Sequence, residues 1–486
     1  MNRRKFLLTA TGAAIAGNPM MRHIYAEVRT GEDRRNMPLE STGLSIRDGV
    51  KILKKGEKGN VAPVLREEIL DNPNAVFIIY AGIKTERDET GEWKPCANQL
   101  ERFGHRVAEL VFRTGTEKGG RTFIHPNMVG GLSKKQPVTF NHGGIVHPYF
   151  TTGFVEGLRN LGNTNTGIGV RGGLRHSQVV ESGLEDLFAS HNIPFIEAHT
   201  QYFKDYHRSE LNWHHCPEGI VQKRFSTYKP AYDKGTTYIN IAHAHTHWVG
   251  HTTLSIKNNQ GIMPRGYGHI CDDWTSLSIW RGDLMDDFNG NYRPEIEASY
   301  IRHANMGYKH WDHGGYYATY KASGGYPAFN DAYHKYRQTK QHSDERKQAL
   351  ERLYEIADHR LFLTEIWAQR MMDIIEVLPP PYVSMVEGVF GRGSDCGIIH
   401  SDFLTVSRSM VAIDTVTSWL MGHDPRELPY LRIAKERGLS GDPVESIPIY
   451  LLDEKGITRI KDYRMLRRYS MGVQVYGLKG VGVQYY

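Results

Sequence analysis

Five short apolar runs, with helical spacing in several of the segments between them, limit this chain more than any other feature. They are Ala75-Val-Phe-Ile-Ile-Tyr-Ala81, Arg121-Thr-Phe-Ile-His125, Gly167-Ile-Gly-Val170, Pro194-Phe-Ile-Glu197 and the stretch from Thr236 to Ala242, most of them rich in the β-branched and aromatic residues of buried strands. Ahead of them, Val64–Leu70 reads as a short helix. Between the first two runs, Leu100, Phe103, Val107 and Leu110 recur on one helical face, and Thr152–Asn160 and Leu184–Ser190 read as two more helices. Alternating strands and helices are best satisfied by a largely parallel sheet with helices on both faces, so the expected class is α/β.

The fifth run leads into His243, His245 and His247, with His251 close behind. Side chains alternate across a strand, so the first three share one face if the strand continues. That face lies at the carboxyl end of the strand, where open α/β sheets bind ligands. Neutral imidazole is both a common metal ligand and a proton carrier near neutral pH. The expected metal set is therefore His243, His245, His247 and His125, with the loop pair His310 and His313 as other donors. His247 and His251 are the expected catalytic histidines, His251 as proton carrier. The plainer alternative is that a chain with 24 histidines gathers some at a strand end without chemistry.

At the amino terminus, Arg3-Arg4 precedes Phe6, Leu7 and a modest apolar segment rich in small residues. The pattern resembles a twin-arginine export signal and is too short for a convincing membrane span. It predicts a signal over residues 1–26, use of the twin-arginine machinery and a periplasmic or otherwise exported protein. Four cysteines, Cys96, Cys216, Cys271 and Cys396, are too far apart for an iron–sulfur knuckle, and no Cys-x-x-Cys-His attaches a haem. The net charge of +6 is spread along the chain without a basic tract, which argues against a nucleic-acid partner.

The expected organisation continues with an extension over 27–60, an α/β domain over 61–450 and a further extension over 451–486. A long irregular insertion over about 280–380, rich in Gly, Tyr, Asn and His, interrupts the domain and passes into a helical segment that Pro379-Pro380-Pro381 stops. Tyr382-Val-Ser-Met-Val-Glu387 reads as another strand and Val411–Met421 as a closing helix.

Several fragments in a fixed order carry a likeness. They are Ile124-His-Pro-Asn127, His147-Pro148, Ile239-Asn-Ile241 through Thr246-His247 to Lys257-Asn258 and Gly261, Val383–Gly388, and Val411-Ala-Ile-Asp414 with Met421-Gly-His-Asp-Pro425. Together they resemble the family called domain of unknown function 362 over about residues 60–450. The resemblance implies ligand-binding roles for Lys257, here given a catalytic part, and for Asn127 and Asn258 as substrate contacts. Asp414 either caps, pairs with a cation or lines the pocket as a third substrate contact. The chain departs from the family where His125, His243 and His245 replace lysines and where Ser409 replaces an aspartate. Lysines hold a fixed charge for anions, whereas imidazoles coordinate metals or exchange protons.

The function expected from these residues is an exported enzyme with a histidine-rich, divalent-metal-dependent site. It would act on a small or oligomeric polar substrate by hydrolysis, isomerisation or elimination. The rival readings are a noncatalytic periplasmic protein that handles metal or binds a ligand, and a redox protein whose cofactor comes from a partner.

Overall fold

The apolar runs form the body of one ten-stranded sheet. Its strands are β1 (Val76–Tyr80), β2 (Thr122–Pro126), β3 (Thr166–Arg171), β4 (Phe195–Ala198), β5 (Thr237–His247), β6 (His251–Thr253), β7 (Val383–Gly393), β8 (Gly397–Ser407), β9 (Ile449–Asp453) and β10 (Gly456–Ile460). The structure, a computed structural model, describes residues 60–128, 132–171, 176–198, 211–218, 224–247, 250–263, 367–368, 370–393, 397–439, 443–469 and 471, with isolated positions 335, 343–345 and 348. All belong to the unit formed by residues 46–486, the other unit being residues 1–45.

Across the sheet the order is β10-β9-β1-β8-β7-β5-β2-β3-β4, with β6 folded back on the end of β5. The strands β7, β5, β2, β3 and β4 are parallel neighbours, and so are β9 and β1; β8 runs antiparallel between β7 and β1. The α/β class with a largely parallel sheet is thus what the chain adopts. The carboxyl ends of β2, β5 and β7 meet at one edge, where the candidate residues gather.

Helices cover both faces. On one, α1 (Ala97–Val111), α2 (Pro148–Asn160) and α3 (Leu184–Ser190) bury Leu100, Phe103, Phe150, Phe154 and Leu187 against Ile124, Ile239, Ile241 and Met385. On the other lie α4 (Ser255–Asn259), α5 (Met410–Leu420) and α6 (Pro429–Glu436), where Ala412, Ile413 and Val416 meet Ala242, Ala244 and Val386. Odd-numbered residues of β5 face the first layer and even-numbered ones the second, as a pleated strand requires. No helix among the described residues is long and apolar enough to cross a membrane.

Three features depart from what the sequence predicts. In place of one helix over residues 64–70, Val64–Leu65 pairs with Phe112–Arg113 and only Glu67–Leu70 is helical. The strand β8 has no clear sequence signal because hydroxyls break its apolar pattern. Ser401 donates to the Gly388 carbonyl and Thr405 bonds Thr417 at 2.8 Å, partners that exist only in the fold. The sheet also runs past residue 450, since β9 joins β1 and β10 completes a hairpin. The signal and most of the insertion at 280–380, His310 and His313 included, lie outside the described residues.

Candidate functional site

The strand β5 stays extended to His247, so His243, His245 and His247 do share the face toward α1 and α2. His243 is fully buried, whereas His245 and His247 keep a partly open edge. The Nδ1 atoms of His243 and His245 are 3.4 Å apart. On its other side His243 places Nε2 3.6 Å from Oε2 of Glu387, its register partner on β7. That separation is too long for a hydrogen bond, and Nε2 has no hydrogen-bond partner among the described residues.

Glu387 is a buried carboxylate in the middle of an apolar strand. Its Oε1 accepts the Val389 N–H at 2.7 Å and its Oε2 the His147 N–H at 3.4 Å. His147 is placed by α2, which it caps: its Nδ1 accepts the Tyr149 N–H at 3.2 Å, and Pro148 starts the helix. The remaining Nε2 of His147 is buried with no hydrogen bond of normal geometry among the described residues, the Phe140 backbone acting on the ring only weakly against its burial. His142, whose Nε2 lies 3.1 Å from the Pro137 carbonyl, sits beside His147 with ring centres 6.3 Å apart. One acid and three imidazoles therefore form a buried cluster behind His245.

Burial sets the protonation of this cluster, because a charge out of water is costly. It pulls His147 and His243 down to about 3 and His142 to about 4. His245 falls well below its ordinary value through burial first, then through its neighbours His243, Lys257 and Arg392. Burial pushes Glu387 up to about 7 against the opposing pull of its backbone donors. The imidazoles are neutral near pH 7 and Glu387 titrates there, which suits acid–base work.

An irregularity in β7 shapes the mouth of the site. The register pairs His243 with Glu387 and His245 with Arg392, so two steps along β5 correspond to five along β7. Such bulges re-aim side chains and are over-represented beside active sites. Gly391 lies within it, and the end of the Met471 side chain fills the space a Cβ there would take, 2.2 Å from its Cε. Arg392 is left exposed, without an ion pair or side-chain hydrogen bond among the described residues.

The second face of β5 carries a different network. Asn258 on α4 donates from Nδ2 to Oδ1 of Asn240 at 2.7 Å and to the carbonyls of Ile241 and His125 at 3.2 and 3.3 Å. Asn240 in turn donates to the carbonyl and hydroxyl oxygens of Ser255, both at 3.0 Å. Asp414 on α5 accepts the Ser255 and Ile256 N–H groups at 2.7 and 3.0 Å, capping α4. Burial pushes Asp414 up to about 8, with those two N–H donors pulling the other way. Ser409, where the family likeness expects an aspartate, caps α5 by accepting the Ala412 N–H. Both carboxylate oxygens of Asp414 and the amide nitrogen of Asn258 are thus committed to holding α4, the helix that carries Lys257, against β5, β6 and β7.

His125 does not join the strand histidines. Its register partner is Asn240, which puts it on the opposite face of the sheet from His243. There Nδ1 meets the Gly169 carbonyl at 2.8 Å, and Nε2 lies where a Cβ on Gly261 would be only 2.3 Å away. His247 uses Nδ1 to accept the Gly250 N–H at 3.3 Å. His251, its partner in the β5–β6 hairpin, is buried with φ at +62°. Asn127 lies at the end of β2, its N–H on the Ile241 carbonyl at 2.8 Å and its side-chain oxygen buried without a hydrogen-bond partner among the described residues.

Among the described residues, three potential metal-ligand atoms come within 4.8 Å of one another at Cys216, Asp373 and Glu376, away from the strand histidines. That place already holds a cation: Arg437 reaches Asp373 at 2.9 Å and Glu376 at 2.5 Å. The likeness includes His147-Pro148 and Val383–Gly388 without assigning a role to His147 or Glu387, the glycine-flanked Arg392 belongs to a turn that could offer amide hydrogens to an anion, and His142 has no sequence signal; only the fold brings the four to the site. A lone acid inside the apolar run Val383-Ser-Met-Val-Glu-Gly-Val is the one sequence signal for Glu387 itself.

A family model, Domain of unknown function (DUF362), matches residues 123–419, from β2 to the end of α5. No curated protein and no solved structure matches the chain. The matched segment holds the strand histidines, Lys257, Asn258, Glu387 and Asp414 and covers more than half of the 486 residues, so the chain belongs to the DUF362 family.

Proposed function

We propose that the protein is an enzyme that moves a proton on a polar substrate at the carboxyl edge of the sheet. His245 meets the substrate, and His243 and Glu387 stand behind it as a relay. The observation that carries this reading is a row of three groups, in which the Glu387 carboxylate stands 3.6 Å from His243 Nε2, just beyond hydrogen-bond distance, and His243 Nδ1 lies 3.4 Å from His245 Nδ1. A carboxylate that closed on His243 would orient the imidazole and stabilise the cation it forms on taking a proton. The second imidazole carries the exchange to the open edge. Proton transfer is the step that hydrolysis, isomerisation and elimination have in common.

The test reads proton exchange at carbon, the signature of isomerisation or reversible elimination, and hydrolysis of the amides is followed in the same samples by release of the free acid. Protein is incubated in heavy water with a panel of small hydroxy acids, keto acids, amides and sugar phosphates, and deuterium entering carbon positions is read by mass spectrometry. Labelling by the wild type that disappears in His245→Gln is the expected result; labelling that persists in the variant overturns the role of His245.

A second reading has its own support. Two ring nitrogens on a tetrahedral ion, each at about 2.0–2.1 Å, stand roughly 3.3–3.4 Å apart. The Nδ1 atoms of His243 and His245 have that spacing, with Glu387 behind His243 as carboxylates commonly stand behind ligating histidines. A metal-dependent enzyme or a metal-handling protein would use the pair in this way. The charges of Arg392 and Lys257 beside His245 weigh against a cation and place this reading second. Metal content of protein purified from its own compartment, with zinc and nickel titrations of the wild type and His245→Ala, decides between the two.

Export to the periplasm belongs to the same proposal, supported by Arg3-Arg4 and the apolar segment after them. Cell fractionation of the wild type and the Arg3→Lys, Arg4→Lys double variant checks it.

A further inference from the structure

We infer that His400 and Asp402 form a second acid–imidazole pair at the same edge of the sheet and that His400 is a second proton carrier, serving a different atom of the substrate from His245. The inference deepens the proton-transfer reading and rests on it for the first carrier.

A bulge in β8 creates the pair. Gly388 stands opposite Phe403 and Phe390 opposite His400, so two steps along β7 correspond to three along β8. The extra residue falls at Ser401 and Asp402, and the φ of +58° at Asp402 lies in the left-handed region. A regular strand would have put Ser401 opposite Phe390 and turned His400 to the other face. With the bulge, the His400 ring packs beside Phe390 and Trp93, ring centres 5.1 and 5.5 Å away, on the face that carries His243 and His245.

Asp402 is fixed by backbone. Its Oδ2 accepts the Gly82 N–H at 3.0 Å and its Oδ1 the Ile83 N–H at 2.9 Å, just past the end of β1. Nε2 of His400 lies 3.6 Å from Oδ1, buried and with no hydrogen bond among the described residues. His243 stands at the same 3.6 Å from Glu387, but the settings differ. The side chains of His243 and Glu387 are 0% and 2% exposed, those of His400 and Asp402 18% and 28%. A neutral imidazole with one nitrogen toward a carboxylate keeps its hydrogen there, which leaves Nδ1 as the base. Nδ1 takes a proton from a substrate atom, the carboxylate stabilises the imidazolium, and Nδ1 gives the proton back to another atom or to water.

The two carriers stand apart along one edge. In register His245 pairs with Arg392 and Arg392 with Ile398, two residues from His400 on the same face of β8. Two strand spacings, about 10 Å, separate β5 from β8. A substrate in contact with both is the size of a sugar or larger, and the two imidazoles serve different atoms of it.

Diethyl pyrocarbonate, which acylates unprotonated imidazole, is added to full-length wild type and Asp402→Asn at pH 7, and each modified histidine is timed by peptide mass spectrometry. His400 is expected to react faster than the buried His147 and His243, and about threefold or more slower in Asp402→Asn, which lacks the charge supporting the ring. In the heavy-water assay, His400→Gln should keep the deuterium labelling that His245 produces, while formation of isomer, elimination product or free acid falls about a hundredfold or more. A His400 rate unchanged in Asp402→Asn, or product formed at the wild-type rate by His400→Gln, overturns the pair. Loss of labelling together with product, in a His400→Gln protein that melts like the wild type, overturns the separate roles. Absent labelling in the wild type, with a His400 rate that depends on Asp402, removes the His245 reading alone.

Discussion

The two faces of β5 present the same backbone to opposite situations. Toward α4 and α5, buried polar atoms of Asn240, Ser255, Asn258 and Asp414 meet partners at 2.7–3.3 Å. Toward α2, the Nε2 atoms of His147 and His243 are buried with no hydrogen bond of normal geometry among the described residues, beside the Glu387 carboxylate. Buried polar groups in folded proteins are nearly always satisfied, and an exception usually marks a catalytic role or a bound water. The Asn240–Ser255–Asn258–Asp414 network is a scaffold that uses its polar groups for position, although Asn259 Nδ2 on α4 and Ser384 Oγ opposite Asn240 lack hydrogen-bond partners among the described residues; the second face gathers its unsatisfied ring nitrogens beside one carboxylate.

Acid should have the largest effect, and it acts on the second face. His147 and His243, held near 3 against an ordinary 6.5, stay neutral in the fold while the unfolded chain takes up protons. The contribution of each ring is full above about pH 6.5 and is lost as the pH drops toward 3, by about 2 kcal/mol at pH 5, while the raised Glu387 and Asp414 carboxyls shift stability the other way over the same window. Denaturant unfolding of the wild type and His243→Gln at pH 7 and 5 isolates the ring's share, and the variant should lose less, or gain more, on acidification. An unchanged slope in that variant would break the distinction between the faces.

Next comes the scaffold. Asp414→Ala leaves two buried N–H groups without acceptors and should cost about 3–5 kcal/mol at pH 7. A cost below about 1 kcal/mol in urea unfolding would show that α4 does not depend on its cap.

Glu387→Gln should move stability the other way. Its folded value is raised from 4.5 to about 7, so the ionised carboxyl weakens the fold increasingly as the pH rises through that window. Removing the charge is expected to stabilise the protein by about 1–3 kcal/mol at pH 8 and by little below pH 5, while abolishing proton transfer. Thermal melts at the two pH values, beside the deuterium assay, sharpen the contrast with Asp414. The smallest stability change, within about 0.5 kcal/mol, is expected for Arg392→Gln, because the residue is exposed.

Much of the fold is legible in the chain. The runs at 75–81, 121–125, 167–170 and 194–197 become β1 to β4 within one or two residues, because buried parallel strands concentrate apolar residues in short blocks. The shared face of His243, His245 and His247 is legible too, since it needs only a strand that does not stop. Illegible are the contacts that cross strands. The shift that sets Arg392 beside His245 has no local sign beyond two glycines, and the assignment of His125 to the far face depends on register.

By itself the sequence determined the α/β alternation, the family and the gathering of imidazoles at one strand end. These are properties of short segments, written in periods of two and 3.6 residues. Tertiary structure alone decided that Glu387 stands behind His243, that Asp414 and Asn258 serve the scaffold, and that His125 lies apart from the cluster. Those outcomes depend on which strands become neighbours and in what register, and a shift of one residue would move each side chain to the other face.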